Sequence, residues 1–387
     1  RIAGLFEDLD PEQAPPDGGI FVLTSKTKIV VTWLQVPQFG RTTPNTFQLT
    51  LLKNGNITVA YSEITLLTAI AGVAPGFGGR LELVDYNSDL PTPVFTTALA
   101  EIFDTQRQLD DLAIANTFFS EFADDYDHLI VWLDFSFRLG GGAFAYEFTL
   151  KNEIRGIGVA IFDASSFAGS AGRLRSFVEM GSLARYPANP DQDFLGTNTT
   201  MDVLGQETGH RWLSFLTFRN SRGAISTDLL GRDLAHWNFN HDSLGSDMEG
   251  NGIRDDGGGN FTTVSATDRF SPLDQYAMGL IPAAEVPPFF YVANSTATNG
   301  SAPQVGVSIQ GQRVDVSVQD VIAAEGARVP ASAGAAKTFN MAFVMISAAG
   351  TVPNAASIAR LETYRNRWNT YFAEAVNQQG AVDTSLR

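Results

Sequence analysis

Residues 206–210 read Gln-Glu-Thr-Gly-His. On an α-helix, positions four apart lie one turn apart on the same face, so side chains 206 and 210 can address one point in space. This is the spacing of the pattern H-E-x-x-H, in which two histidines hold zinc and the intervening glutamate acts as base. Glu207 keeps the carboxylate that would activate a metal-bound water, and His210 keeps one imidazole. Gln206 stands where the other imidazole belongs. Zinc favours imidazole nitrogen, thiolate or carboxylate over a neutral amide oxygen. Loss of even a group that orients a ligand weakens metal binding about 10–100-fold. Loss of a ligand predicts at least as much, and so a site mostly empty at trace zinc.

Further donors are few. There is no cysteine, which excludes a disulfide framework and a thiolate site. The histidines are His128, His210, His236 and His241. Two of them, with four acids, fall in the stretch Gly231-Arg-Asp-Leu-Ala-His-Trp-Asn-Phe-Asn-His-Asp-Ser-Leu-Gly-Ser-Asp-Met-Glu-Gly-Asn. An overlapping set, Asp242, Asp247, Glu249, Asp255 and Asp256, offers the hard oxygens that calcium takes in a flexible loop. Its spacing is not that of an EF-hand, and a solvated acidic loop is the competing reading. No Ser-His-Asp order, phosphate-binding loop or glycosidase pair stands out. Gly140-Gly-Gly-Ala and Gly257-Gly-Gly-Asn read as turns.

Such residues need a scaffold, and the composition supplies one. The 387 residues are 44% hydrophobic and 18% charged, a globular balance too long for one ordinary core, so two domains are expected. The net charge of −16 comes with no basic stripe, which argues against a nucleic-acid partner. No apolar run reaches the roughly 18 residues of a membrane span. The chain opens at Arg1 without Met, which suggests a processed or trimmed form. Sequons at Asn56, Asn198, Asn260, Asn294 and Asn299 give weak support for secretion.

Residues 18–61 predict a β-meander: Gly18–Thr24, an alternating run over Lys28–Gln35, Phe47–Leu52, and Ile57–Tyr61 after the hairpin signal Asn54-Gly. Gly76-Phe-Gly-Gly and Leu90-Pro-Thr-Pro bracket a boundary near residues 75–95. Residues 97–123 read as helical through Leu99, Ile102, Phe103, Leu109 and Leu112. Strands are predicted at His128–Phe137, Ala143–Leu150, Gly156–Phe162 and within Lys337–Ser347, with a polar β-rich stretch at 303–324. The Gln206–His210 helix is expected at about 199–218. Its two glycines, Gly205 and Gly209, each cost about 1 kcal/mol relative to alanine, which hints at close packing. The last helix, about 354–377, carries Ile358, Leu361, Tyr364, Trp368, Tyr371 and Phe372 in one stripe, read as core.

The first segment resembles the nidogen-like extracellular domain in Ile2-Ala-Gly-Leu-Phe-Glu-Asp-Leu-Asp, Val31-Thr-Trp, Val36-Pro-Gln-Phe-Gly, Asn45-Thr-Phe-Gln-Leu-Thr-Leu and Asn54-Gly-Asn-Ile. The resemblance implies a noncatalytic β module at 1–85 that serves contact or assembly. The remainder, 96–387, resembles secreted bacterial zinc-metallopeptidase-like proteins. It does so in the 206–212 segment ending His-Arg-Trp, His236-Trp, Met248-Glu-Gly-Asn and Ser271-Pro-Leu-Asp-Gln-Tyr-Ala-Met-Gly-Leu.

That likeness implies an α+β domain in which a mixed sheet supports the motif helix. Glu207 would be the base, His210 a zinc ligand, and His236 the third ligand, with His241 and Asp242 as alternatives. Met278 or Met248 would form the floor beneath the metal. Leu213 and Leu216 replace the further glycine and histidine of the metzincin extension. The expectation is a secreted or surface pseudoenzyme with a degraded zinc site, used to bind an extracellular protein or to self-associate. The alternatives are an active zinc metalloendopeptidase, and a calcium-binding subunit of a surface layer or filament.

Overall fold

The computed structural model describes residues 2–66, 68–74, 81–83, 98–104, 109–135, 137, 139, 143–267 and 269–385. The chain divides into two compact units, Arg1–Leu109 and Asp110–Arg387. The expected boundary near 75–95 and the turn at 140–142 fall mostly or wholly outside the described residues.

The first unit is built of β-sheets among its described residues, apart from one 3-10 turn at Pro11–Gln13. Gly19–Thr24, Lys28–Pro37, Pro44–Leu52 and Ile57–Glu63 form an antiparallel meander in chain order. Gly55, at φ 91°, turns the last hairpin, and its N–H bonds the Leu52 carbonyl at 2.9 Å. A side chain would be strained there, which is why Asn-Gly marks the turn. A second sheet runs Ile2–Phe6, Thr68–Val73, Ala98–Asp104, Leu81–Leu83. Alternation puts Phe47 and Leu49 inside, and Phe47 stacks on Trp33 with centroids 4.6 Å apart. Leu5, Leu66 and Ala69 complete that core.

Residues 97–123 are not one helix. Ala98–Asp104 is a strand paired antiparallel with Thr68–Val73, and only α1, Asp111–Glu121, is helical. The helical spacing of Leu99, Ile102 and Phe103 yields to a ladder that satisfies the backbone of both strands. Asp110, capping α1 through the Ala113 N–H at 2.9 Å, sets the true helix start.

The second unit is α+β. Its five-stranded sheet runs Tyr146–Thr149, Ser176–Ser182, His128–Leu133, Thr338–Ile346, Ala381–Asp383, with only the first pair antiparallel. Both faces of the sheet are covered, so its central strand is apolar from Leu129 to Leu133. Leu129 and Val131 meet Ala115 of α1, while Ile130 and Trp132 share a core with Met201, Leu204 and Trp368.

These last three sit on α2, Thr200–Gly209, and α5, Ala355–Ala375, with α3, Pro272–Met278, and α4, Val318–Glu325, between them in sequence. The α5 stripe is core, as expected, at Leu361, Tyr364, Trp368, Tyr371 and Phe372, whereas Ile358 stays exposed. Ser176–Ser182 was not anticipated. Conversely, Gly156–Ile161 is not a strand. Gly156 and Gly158 have φ of 75° and 80° and press against the backbones of Ala327 and Phe215, which extended pairing does not allow.

Candidate functional site

The motif helix begins as its sequence dictates and ends sooner. Thr199 and Asp202 close a capping box, with Thr199 Oγ1 accepting from the Asp202 N–H at 3.2 Å and Asp202 Oδ2 accepting from the Thr199 N–H at 2.7 Å. The helix stops at Gly209, and His210 is its C-cap rather than a mid-helix residue. Its glycines answer to packing. A side chain at Gly205 would overlap Asp247 Oδ2, and one at Gly209 would lie 2.5 Å from Met248 Sδ. Met248 therefore packs directly beneath the C-terminal turn, and Met278 belongs to the same core.

Gln206, Glu207 and His210 line a cleft of about 650 Å³ together with Arg232, His236 and Glu249. The His210 and His236 rings meet edge to face, with centroids 4.8 Å apart and planes at 87°. His236 follows the short turn Arg232–Leu234 and precedes Trp237, which is clamped by Asp274 Oδ1 at 2.8 Å. Asp274 also closes the capping box of α3 with Ser271. The Ser-Pro-Leu-Asp stretch thus fixes the chain beside His236.

Hydrogen bonds settle both tautomers. His210 Nδ1 faces the Leu213 carbonyl at 3.2 Å, and His236 Nδ1 faces the Arg232 carbonyl at 3.0 Å. A carbonyl only accepts, so both Nδ1 atoms carry the proton and both Nε2 atoms present a lone pair. The lone pair of His236 is taken. Its Nε2 accepts from Gln206 Nε2 at 3.2 Å and from Arg232 Nη2 at 2.9 Å. Arg232 is held in turn by Glu249 Oε1 at 2.6 Å and by Asp233 at 3.1 Å. Burial keeps both histidines neutral, pushing His210 down to about 3 and lowering His236.

Glu207 is only 7% exposed, and no hydrogen bond to its carboxylate is present among the described residues. Burial pushes its carboxyl up to about 8, with Arg232 pulling it down and Glu249 pushing it up.

These donors do not fit a zinc ion. A guanidinium, with a full positive charge, occupies the nitrogen of His236 that would bind the metal. The Gln206 N–H occupies it as well. Among the described residues, no group of three or more His, Asp or Glu is placed to hold a metal ion.

The other expected ligands lie elsewhere. His241 is fully buried between Trp237 and Phe289, its Nδ1 toward the Phe290 carbonyl at 3.3 Å. Asp242 accepts the Ile253 N–H at 2.8 Å outside the cleft. The acidic loop is dispersed. Asp247 accepts from Tyr371 at 3.0 Å, Glu249 holds Arg232, Asp255 meets Arg313 at 3.3 Å, and Asp256 meets Arg254 at 2.6 Å. Asp255 and Asp256 lie in the exposed half of a hairpin strand, Asn251–Gly257. His128 is a core residue bonded to Ser176 Oγ at 2.7 Å.

Sequence reasoning missed Arg232. The one available signal was its position four residues before His236, bridging a single turn. No family model, curated protein or solved structure matches the chain. No helix among the described residues is long and apolar enough to cross a membrane.

Proposed function

We propose that this chain is a secreted or cell-surface binding protein whose second unit retains a metallopeptidase-like site without its metal. One observation carries the reading: His236 Nε2 is bonded to Arg232 and Gln206 rather than left open for a metal. Glu207 keeps the position of the base, and His210 keeps one imidazole, yet the third partner of the constellation is a cation supplied by the protein. The role left to such a cleft is recognition.

The first unit supports the same reading as a contact module. Gly19–Thr24 is the edge strand of its sheet, and Ile20, Phe21, Val22 and Leu23 are 46–65% exposed. Exposed apolar edge strands are sites where other chains add. Elemental analysis after dialysis against zinc should find well under one zinc per chain, with no cleavage of casein. Stoichiometric zinc, with casein cleavage abolished by Glu207→Ala, would establish the metalloendopeptidase instead.

A further inference from the structure

The cleft holds an unanswered chemical demand, and its occupant can be read from that demand. Glu207 is more than nine-tenths buried, lines the cleft, and has no hydrogen-bonding partner among the described residues. A carboxyl buried this deeply resists ionisation, and a cation seated against it favours the ionised form. Two further acceptors line the same cleft. His210 Nε2 has its lone pair available because Nδ1 carries the proton. Gln206 Oε1 is an acceptor because the amide nitrogen is engaged with His236.

The resident cation, Arg232, acts on this group through its charge without a hydrogen bond to it. Arg232, the one basic residue lining the cleft among the described residues, is committed to Glu249, Asp233 and His236. Asp233 adds a further acidic group to the lining. Phe144, Leu195, Val203 and Phe215 give the lining an apolar part, beside the polar Asn198 and Tyr146.

We propose that this cleft binds an aliphatic primary ammonium group, seated on Glu207, His210 and Gln206 with its alkyl stem along the apolar wall. This deepens the binding reading above and rests on it. A primary ammonium has three donors and no acceptor, matching three acceptors contributed by one helix end. A guanidinium is planar and presents five donors in a rigid fork, a poorer match to that trio. The cleft volume of about 650 Å³ accommodates a lysine-sized stem together with the chain that carries it.

The test is calorimetric titration of the full chain with Nα-acetyl-lysine methylamide, Nα-acetyl-norleucine methylamide and n-butylamine. The lysine probe should bind at least tenfold tighter than the norleucine probe, and Glu207→Gln should remove that preference. Butylamine equal to the lysine probe identifies a free amine as the source; a clear advantage for lysine identifies a presented side chain. Equal binding of lysine and norleucine, or a preference that survives Glu207→Gln, would overturn the proposal. Should the variant be unstable, the wild-type preference alone decides. Zinc at one per chain would overturn the metal-free reading, whereas zinc-free protein indifferent to the lysine probe would overturn this inference alone.

Discussion

Glu207→Gln should change how stability responds to pH, and the size of the change follows from burial. The Glu207 carboxyl is pushed from its ordinary 4.5 up to about 8 in the folded chain. Between those values the native state holds a proton that the unfolded chain has released, so stability falls as pH rises. The contribution is intact below pH 4.5 and is lost as pH climbs through about 8. Integrated between pH 5 and pH 9, this one carboxyl costs about 4 kcal/mol. For a unit of this size, that is on the order of 8 °C in Tm at about 2 °C per kcal/mol. Glutamine has the same shape and no charge, so the variant should lose that slope. Its own unpartnered amide costs about 1–3 kcal/mol at every pH, which shifts the curve without tilting it. Thermal unfolding followed by circular dichroism at pH 5, 7 and 9 provides the readout. Wild-type and variant Tm values falling in parallel from pH 5 to pH 9 would refute the reasoning.

Other outcomes are expected from the same contacts. His210, pushed down to about 3 by burial, should be a source of acid sensitivity, with stability lost as pH falls from 6.5 toward 3. His210→Gln should flatten that loss in an acid-unfolding series. Tyr371 donates to Asp202 at 2.6 Å and contacts Asp247 at 3.0 Å, both buried, so Tyr371→Phe should cost about 1–3 kcal/mol by denaturant titration. Trp368, fully buried where α5 meets the sheet, should cost about 3–5 kcal/mol as Trp368→Ala. A fragment beginning at Asp110 contains a whole sheet and its covering helices, and should unfold as a single cooperative transition.

Much of this architecture could be read from residue order. The meander was legible because period-2 alternation and Asn54-Gly both point to one pairing, and the C-terminal helix because six apolar residues share a stripe over about four turns. Ala98–Asp104 was misread because a short apolar run fits either period, and only its partner strand decides. Gly156–Ile161 was misread because its apolar residues conceal two glycines whose conformation is set by distant backbone.

At the site, sequence placed Gln206, Glu207 and His210 on one turn and paired them with His236. It could not separate His236 from His241, which differ by burial rather than by type. The acidic loop looked like a cation site only in one dimension; in space each acid finds its own tyrosine, arginine or backbone N–H. Arg232 was invisible as a site residue because nothing in its type says that it will turn back onto an imidazole.

Installing a metal site is the sharpest test of whether Arg232 and Gln206 keep zinc from His210 and His236. Zinc affinity should be measured by competition with a chromophoric chelator for wild type, Gln206→His, Arg232→Ala and the double variant. The expected order is negligible binding for wild type, little gain for Gln206→His while the guanidinium still holds His236, and a gain of at least tenfold when both changes are combined. Tight, stoichiometric zinc on the wild-type chain, or no gain in the double variant, would contradict it.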